Sequence, residues 1–348
     1  MALRISYCPF RLLFRHPFAT SHGVREGTDS IFIRLEEEGF TGYGEVTLPP
    51  YLKEKPEDVI ALLHQLASLR IADSSALLKV LDDGAVFGVG SPGCRAGVHT
   101  ALIDLLGKKA KRTAREILDL PDRGTAITLV TVGITPLAEL EQRLRELPQS
   151  GALKVKVGLT GSMAMLNRIM ELDGRPLFLD ANQGLAQVDE ALELAALVGD
   201  RLVGLEQPFS TGMDTLQRSL QERIGTCVYG DESIQNEADI ELQKGNFKGL
   251  NIKLMKCGGL DRAMKMAERG KALGMQVMLG SMSESSLGCT ALAQLAGQAQ
   301  VLDLDGPWLI KNDPFTGITM EQGNIRVPDG PGIGARLTVD LGFAPAGV

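Results

Sequence analysis

ALKVKVG, residues 152–158, places two lysines on one face of a short β-strand, and the chain around it repeats the same kind of strand. At intervals of about 25 residues it is followed by LFLDAN (177–182), LVGLEQP (202–208) and VYGDES (228–233). Each of these runs is β-rich and carries an acidic residue at its end, and helix-like sequence separates one run from the next. Strand and helix repeated at this period predict βα units in tandem.

Extending the repeat in both directions gives eight such units. The predicted strands are 127–132, 152–157, 177–180, 202–206, 227–231, 250–254, 277–280 and 301–305. Eight parallel strands close into a (β/α)8 barrel of the TIM type, whose chemistry lies at the carboxyl ends of the strands. The predicted fold class is therefore α/β.

The chain before the repeat has a different character. Residues 31–35 and 43–48 alternate as antiparallel strands joined through Gly39, and helical patterns cover 56–68 and 93–109. The Gly- and Pro-rich end of the chain suggests irregular segments and short strands returning to this unit. We predict an α+β domain at 1–120, the barrel at 121–315, and a C-terminal segment at 316–348 that completes the first domain.

Bulk composition narrows the class of protein. The 348 residues are 44% hydrophobic, which is ample for a large core, and the net charge of −7 argues against nucleic-acid binding. Five cysteines without a CxxC pair favour a reducing compartment, and the first fifteen residues lack the apolar core of a secretory signal. No stretch approaches the ~20 apolar residues of a membrane span. These features predict a cytoplasmic protein that binds neither membrane nor nucleic acid.

Three acids end successive predicted strands, namely Asp180, Glu206 and Asp231. Carboxylates at one rim of a barrel form the hard oxygen site that Mg2+ prefers. The alternative is that each acid caps the helix that follows it, which is common for Asp at such a junction. Three acids in register favour the cation site.

Lysines occupy two predicted strands where burial makes them costly. Lys154 and Lys156 lie two residues apart and share a face, and Lys253 lies in the sixth strand, half the circumference away. Like charge and burial are expected to lower a lysine pKa from about 10.4, which would suit Lys156 as a general base. Exposure of a KxK strand at a sheet edge is the alternative, but a closed barrel has no edge. Opposed lysines suit removal of a proton from one face of a carbon and its return to the other.

Several motifs carry a resemblance to a known family. They are LKVKVG (153–158), LDAN (179–182), LEQP (205–208), GDES (230–233), NIKLMKCGG (251–259) and VLDLDGP (301–307). The set resembles the muconate-lactonizing subgroup of the enolase superfamily, and within it the dipeptide epimerases. PFATSHG (17–23) and YGEVTLPPY (43–51) are similar to the two loops that cap the substrate in that family.

The resemblance implies a role for each motif. Asp180, Glu206 and Asp231 would bind one Mg2+ per subunit, for which Mn2+ can substitute. Lys156 and Lys253 would be the paired acid/base catalysts, with Lys256 the less favoured rival of Lys253. The remaining implied residues are Lys154 as the electrostatic partner of the substrate carboxylate, and Asn182 and Glu232 as supports behind the metal ligands. A homo-oligomer is also implied.

One motif favours a particular activity within this subgroup. Asp303 and Asp305 lie on one face of the eighth strand and resemble the pair that holds the free α-ammonium of a dipeptide in the epimerases. Two carboxylates that pair with one ammonium discriminate against substrates without a cation. Helix capping by the pair is the alternative. The resemblance therefore implies an isomerase that epimerises a dipeptide, such as L-Ala-D/L-Glu from murein peptides.

The substrate side chain is less constrained by the sequence. Arg25 suits a glutamate side chain, although the Ala-Glu enzymes of the family carry their arginine nearer the loop tip, where this chain has His22 and Gly23. A solvated Arg25 is the alternative. The other residues predicted to contact substrate are His22, Tyr51, Met282 and Ser285.

Other activities remain open at this stage. Within the subgroup they are epimerisation of hydrophobic dipeptides, N-acylamino acid racemisation, o-succinylbenzoate synthesis and cycloisomerisation. From other classes they are a metal-free class I aldolase, which forms a Schiff base on a lysine, and a non-catalytic binding barrel. A binding barrel has no need for opposed lysines around three acids.

Overall fold

A computed structural model describes residues 3–20, 23–84, 86–88, 90–120, 126–158 and 160–347, with side chains given for all of these except 18–20. Three long antiparallel strands begin the chain: β1 (Arg4–Thr20), β2 (Gly23–Glu37) and β3 (Phe40–Leu48). The turn between β2 and β3 contains Gly39 at φ +84°, a left-handed conformation that favours glycine. The two antiparallel strands predicted around Gly39 are confirmed.

Helices cover one face of this sheet. They are α1 (Pro56–Ser68), α2 (Ser74–Asp83), α3 (Pro92–Ala110) and the short α4 (Ala114–Ile117). The long helix α3 is buried over most of its length, because it lies between β3 and the barrel. Its close approach to β3 depends on Gly42 and Gly44, which share one face of the strand.

Eight parallel strands form a closed barrel, as predicted from the repeat. They are β4 (Ile127–Val132), β5 (Ala152–Lys156), β6 (Leu177–Asp180), β7 (Leu202–Glu206), β8 (Val228–Gly230), β9 (Gly249–Ile252), β10 (Gln276–Gly280) and β11 (Val301–Asp303). Neighbours along the chain are neighbours in the barrel, and β11 pairs with β4 to close it. The fold class is therefore a (β/α)8 barrel with an N-terminal α+β domain.

Helices lie between successive strands of the barrel, and one more follows its last strand, β11. They are α5 (Leu137–Glu146), α6 (Ser162–Leu172), α7 (Val188–Val198), α8 (Asp214–Arg223), α9 (Glu237–Leu242), α10 (Leu254–Cys257), α11 (Leu260–Ala272), α12 (Ser286–Ala293) and α13 (Gly306–Leu309). Short 3-10 turns occupy Gly199–Arg201 and Ala296–Gln298. No helix in the described ranges is both long and apolar enough to cross a bilayer.

Apolar side chains fill the lower part of the barrel interior. A buried cluster there includes Leu129, Phe178, Tyr229 and Met278, contributed by four different strands. The aromatic rings of Phe178 and Tyr229 pack 5.3 Å apart between centroids. Because this plug closes the amino-terminal end, polar side chains are confined to the carboxyl-terminal end of the strands.

The C-terminal segment returns to the first domain. Its short strands are β12 (Phe315–Thr316), β13 (Thr319–Glu321), β14 (Asn324–Arg326), β15 (Arg336–Leu337) and β16 (Ala344–Pro345). Strand β16 pairs with β1 through Ser6 and Pro345, and Asp104 in α3 accepts a hydrogen bond from the Ile333 backbone N–H at 2.9 Å. The N-terminal sheet is thus completed by the end of the chain.

A buried ion pair joins the first domain to the barrel. Arg95 in α3 is only 2% exposed and donates to both oxygens of Asp261 in α11, at 2.9 and 2.8 Å. It also donates to the Gly258 carbonyl at 2.6 Å. Gly258 lies in the loop that follows β9, so α3 is anchored beside the carboxyl-terminal rim of the barrel.

We predict that Gly44→Ala destabilises the fold. A Cβ atom at this position would overlap the Gly97 carbonyl oxygen and lie 2.9 Å from the Ala101 amide nitrogen, so α3 must move away from β3. The expected loss is about 3 kcal/mol in the free energy of unfolding, measured by urea denaturation. Gly225→Ala is the control, because nothing lies within 4 Å of the place that its new Cβ atom would take. Equal stability of the two variants would contradict this packing.

Candidate active site

A cavity of about 1140 Å³ opens at the carboxyl-terminal ends of the barrel strands, under the N-terminal domain. Most of the predicted site residues line it. They are Arg25, Tyr51, Lys154, Lys156, Asn182, Asp231, Glu232, Lys253, Met282, Asp303 and Asp305. Asp180 and Glu206 are buried at 1% and 0% exposure beneath the lysines. His22 lies outside the described residues.

The three acids predicted as metal ligands lie on neighbouring strands. Asp180 and Glu206 end β6 and β7 and are paired in register, and Asp231 directly follows β8. Lys154 Nζ lies 2.9 Å from Asp180 Oδ2 and 2.7 Å from Glu206 Oε2. One ammonium group therefore bridges two of the three acids.

The two lysines predicted as catalysts come from opposite walls. Lys156 ends β5, and Lys253 follows β9, which is four strands away around the closed barrel. Lys156 Nζ donates to Asp180 Oδ2 at 2.6 Å and to Asn182 Oδ1 at 2.9 Å. Lys253 Nζ donates to Asp231 Oδ2 at 2.7 Å.

The sequence places Lys253 within the sixth strand, but that strand ends one residue earlier, at Ile252. Lys253 instead occupies the N-cap position of α10, with extended backbone angles of φ −128° and ψ 133°. The extended backbone carries its side chain into the cavity, as a strand position would.

The sequence predicts a lowered lysine pKa on the strand that carries Lys154 and Lys156, and this prediction is wrong for Lys154. The pKa of Lys253, for which the sequence predicts no shift, is also raised. Burial alone would lower both, but nearby carboxylates outweigh it. Asp180, Asp303 and Glu206 raise the pKa of Lys154 well above its usual value, and Asp231 and Glu206 raise that of Lys253. Repulsion between lysines is outweighed here by acids from strands one or two places away around the barrel.

The pKa values of the acids are also shifted, and in opposite directions. Burial and the nearby Asp180 raise the pKa of Glu206 to about 7, even though Lys154 opposes the shift. Burial alone would also raise the pKa of Asp180, but Lys154 and Lys156 outweigh it and lower this pKa to about 2. Of the three acids predicted as metal ligands, Glu206 is the one paired with a single lysine among the described residues, whereas Asp180 and Asp231 are each paired with two.

Lys256, considered as a rival to Lys253, has a different environment. Its Nζ donates to Asp231 Oδ1 at 2.6 Å and to three backbone carbonyls, those of Asp231, Asn251 and Ile234, at 2.7, 2.9 and 3.0 Å. An ammonium with four acceptors is a fixed structural group. Lys256 therefore holds Asp231 in place beside Lys253.

Two uncharged side chains that orient the acids were missed from the sequence. Asn251 donates to Glu206 Oε1 at 2.8 Å, and Gln207 Oε1 accepts from the Asp231 backbone N–H at 3.0 Å. Asn251 lies two residues before Lys253, so strand alternation could have placed it on the interior face. Gln207 follows β7 at φ +35°, and no sequence pattern predicts that conformation.

The acids of the eighth strand differ from each other in their contacts. Asp303 Oδ2 accepts from Lys154 Nζ at 2.7 Å, whereas Asp303 Oδ1 is buried and has no hydrogen-bond partner in the described part of the chain. Asp305 Oδ2 accepts from the Thr131 backbone N–H at 2.7 Å. Burial and Asp303 raise the pKa of Asp305 to about 6. The Asp303 oxygen is thus available to a cationic group in the cavity.

The residues predicted to set side-chain specificity are partly brought together. The Arg25 guanidinium lies over the rings of Phe14 and Tyr51, each at 5.4 Å, and Tyr51 donates to Met282 Sδ at 3.4 Å. Ser285 does not join them. Its side chain is fully buried and donates to Glu45 Oε2 at 2.5 Å, because it is turned toward the N-terminal domain.

The donor set suits a hard divalent cation. Five buried carboxyl groups face four buried lysines in and under the cavity wall: Asp180, Glu206, Asp231, Asp303 and Asp305, against Lys154, Lys156, Lys253 and Lys256. Within the described ranges, no three His, Cys, Asp or Glu side chains close around one point, because the lysines lie between the acids. The surplus of carboxyl oxygens matches the ligands that Mg2+ prefers.

A closed parallel barrel with an α+β domain over its carboxyl-terminal rim, and with acids and lysines facing one cavity there, defines a class of barrel enzymes. The chain belongs to the enolase superfamily. Residues 137–341 match the family described as "Enolase C-terminal domain-like", and residues 9–118 match "Mandelate racemase / muconate lactonizing enzyme, N-terminal domain".

Individual relatives are similar along nearly the whole chain. The chain is 34% identical to the L-Ala-D/L-Glu epimerase of Bacteroides thetaiotaomicron, over 95% of this chain and 87% of that protein. It is 31% identical to the hydrophobic dipeptide epimerase of Roseobacter litoralis, over 97% and 99%. The dipeptide epimerase of Methylococcus capsulatus, solved with Mg and L-Arg-D-Lys, superimposes with a TM-score of 0.86 at 26% identity, covering 96% and 99%.

We predict that Lys256→Met lowers the free energy of unfolding by about 3 kcal/mol, because it removes an ammonium donor from a buried carboxylate oxygen and three carbonyls. Urea denaturation of the purified variant measures this loss. Lys265→Met, on the exposed side of α11, is the matched control and should change stability by less than about 0.5 kcal/mol. Identical midpoints for both variants would refute a structural role for Lys256.

Proposed function

We propose that this protein is a Mg2+-dependent dipeptide epimerase that moves a proton from one face to the other of the α-carbon of the C-terminal residue. The observation that carries this proposal is the placement of Lys156 and Lys253 on opposite walls of one cavity. Relatives named as dipeptide epimerases support the substrate class.

The chemistry requires two lysines because inversion needs an acid and a base on opposite faces. One lysine removes the α-proton, and the other returns a proton from the other side. The proton next to a carboxylate is very weakly acidic, so the charge that develops on the substrate oxygens must be stabilised. Lys154, buried among acids between the two walls, supplies a fixed positive charge for those oxygens.

Asp180, Glu206 and Asp231 would hold one Mg2+ per subunit, for which Mn2+ would substitute, and Asn182 and Glu232 stand beside them. When bound, the ion supplies electrostatic stabilisation of the substrate carboxylate. Lys156 Nζ donates to Asp180 and Lys253 Nζ to Asp231, at 2.6 and 2.7 Å. The Asp231 charge raises the pKa of Lys253, so a cation that neutralises Asp231 would lower that pKa toward its usual value.

Asp303 and Asp305 would bind the free α-ammonium of the dipeptide. The buried Asp303 Oδ1 has no hydrogen-bond partner among the described residues, and it lies at the cavity wall. An ammonium group would pair with this oxygen, whereas an N-acyl group would leave it buried without a donor. The pair therefore favours dipeptides over the N-acylated substrates of a racemase.

Arg25 would bind the side chain of the epimerised residue, which makes L-Ala-D/L-Glu the proposed substrate. Burial lowers the pKa of this guanidinium, while Tyr51 opposes the shift. A carboxylate from the substrate would compensate for that burial. The same aromatic surroundings of Arg25 would suit an apolar side chain, so hydrophobic dipeptides are the alternative. We place the protein in the cytoplasm as a homo-oligomer.

The test is a screen of L-Ala-L-Xaa and L-Ala-D-Xaa dipeptides in D2O with Mg2+, read by the mass shift at the α-carbon. We expect solvent deuterium in the epimerised product, with L-Ala-L-Glu and L-Ala-D-Glu among the best substrates, and loss of exchange with EDTA. Exchange that favours Ala-Leu over Ala-Glu would contradict the glutamate assignment. Activity that survives EDTA, with an adduct trapped by borohydride, would indicate an aldolase instead.

Removal of either opposed lysine should separate the two half-reactions. We predict that Lys156→Met and Lys253→Met each reduce epimerisation at least about 1000-fold, because each removes the acid or base on one face. Each variant should keep α-proton exchange for only one of the two epimers, measured by NMR in D2O. Loss of exchange for both epimers in both variants would contradict the assignment of one lysine to each face.

Asp303→Asn should affect free-amine substrates selectively. We predict that kcat/KM falls at least about 100-fold for a dipeptide and less than about threefold for the matching N-acetyl dipeptide, because only the first brings an ammonium group. Steady-state kinetics on the two substrates measure the ratio. Equal losses on both would remove the reason to prefer dipeptides over N-acylated amino acids.

A further inference from the structure

Two buried glutamates from different domains meet beside the cavity. Glu45 lies in β3 of the N-terminal domain at 1% exposure, and Glu284 lies between β10 and α12 of the barrel at 0%. A Cβ atom built on Gly288 would overlap Glu284 Oε2 and lie 3.0 Å from Glu45 Oε2. Both carboxyl groups therefore face the same small space at the start of α12.

The two carboxyl groups accept very different numbers of hydrogen bonds. Glu45 accepts from the Ser285 backbone N–H at 3.0 Å, the Ser285 hydroxyl at 2.5 Å, the Gly288 N–H at 3.0 Å and the Thr47 hydroxyl at 2.8 Å. Glu284 accepts from the Met282 N–H at 3.1 Å, and its Oε2 is buried without a hydrogen-bond partner in the described part of the chain. Glu45 is thus stabilised as a carboxylate, and Glu284 is not.

The charged groups around the pair do not remove this difference between Glu45 and Glu284. Burial and then Glu45 raise the pKa of Glu284 to about 8, while the Met282 N–H and Lys253 oppose the shift. Burial also raises the pKa of Glu45, with Ser285 and Thr47 opposing and Asp313 adding to it. The neighbouring Cys289 thiol donates to the Glu284 carbonyl. With a pKa of about 8, Glu284 is the group of the pair that carries a proton at neutral pH.

We propose that Glu284 is a positioning residue for the substrate cavity, held as a neutral carboxylic acid against the Glu45 carboxylate. Its proton allows residues 281–285 to remain packed against the N-terminal domain. Ionisation of Glu284 places two uncompensated negative charges side by side across the domain boundary. The segment that lines the cavity then separates from β3.

The geometry connects this pair directly to the site. Ser281, Met282 and Ser283 line the cavity, and Ser283 has a left-handed backbone with φ +66°. The Glu284 side chain accepts from the Met282 N–H and so closes the turn that contains Ser283. Loss of this turn would displace Met282, whose sulfur accepts a hydrogen bond from the Tyr51 hydroxyl.

The direction of the pH effect follows from linkage. The pKa of Glu284 in the folded protein is raised from 4.5 to about 8, so the folded state binds this proton more tightly than the unfolded state. Stability that depends on Glu284 is complete below pH about 4.5 and is lost as the pH rises to about 8. Glutamine keeps the neutral form at every pH and should remove this loss.

The test compares the parent protein with Glu284→Gln between pH 7 and 9. With an L-Ala-L-Glu substrate, we expect KM of the parent to rise about fivefold over this range and KM of Glu284→Gln to change less than about twofold. Glu37→Gln is the matched control. This buried glutamate is paired with Lys109 at 2.7 Å and has a lowered pKa, so its substitution should leave the rise in KM intact.

Two further measurements need no turnover, so their outcome is independent of the proposed function. The single tryptophan, Trp308, lies in α13, whose first residue Gly306 packs on the Glu284 carbonyl. We expect its fluorescence to change between pH 7 and 9 and the Tm of the parent to fall between pH 5 and 8, and both changes to be smaller in Glu284→Gln. Infrared difference spectra at pH 7 should show a protonated carboxyl band in the parent that Glu284→Gln lacks.

The outcomes distinguish failure of the proposal for Glu284 from failure of the proposed function. Absence of that carboxyl band, or the same pH dependence of Trp308 fluorescence in both proteins, would overturn the proposal for Glu284. Absence of epimerisation with the fluorescence difference intact would overturn the proposed substrate and retain the positioning role. If Glu284→Gln does not fold, Glu45→Gln is the second variant: removal of the Glu45 charge should move the Trp308 fluorescence transition to lower pH, and an unchanged transition would overturn the proposal.

Discussion

The contact on which the site depends is the Lys154 ammonium group buried among carboxylates. Its Nζ lies within 2.9 Å of Asp180, Glu206 and Asp303, which come from three other strands of the barrel. In a low-dielectric interior none of these acids could be buried without a positive partner, and the lysine could not be buried without them. The ion pairs therefore tie the rim of the barrel together and also set the charge that a substrate meets.

The rest of the molecule maintains the conditions for this cluster. The apolar plug around Phe178 and Tyr229 closes the barrel below it, so the charges have apolar side chains on one side and the cavity on the other. The N-terminal domain covers the cavity from above and is anchored by Arg95 on Asp261. Its close packing on the barrel strengthens electrostatic interactions within the site, because burial lowers the local dielectric.

Membership of the enolase superfamily and the geometry of the cavity both indicate a proton-transfer site. Individual contacts in this chain add detail to that description. Lys256 fixes one oxygen of Asp231 while Lys253 contacts the other, so a single acid connects a structural lysine with a proposed catalyst. Glu45 and Glu284 bring two buried carboxyl groups together at the boundary of the two domains, beside residues that line the cavity.

The sequence alone determined the eight-strand repeat, the acids at strand ends and the two lysine positions, because alternation and period are local properties of the chain. It could not determine the sign of the lysine pKa shifts, since the acids that raise them come from other strands, which meet the lysines only in the closed barrel. Ser285 was misplaced for the same reason: its partner Glu45 lies 240 positions away in the chain. Contacts of that kind exist only after the barrel closes and the N-terminal domain docks, so only the tertiary structure decides them.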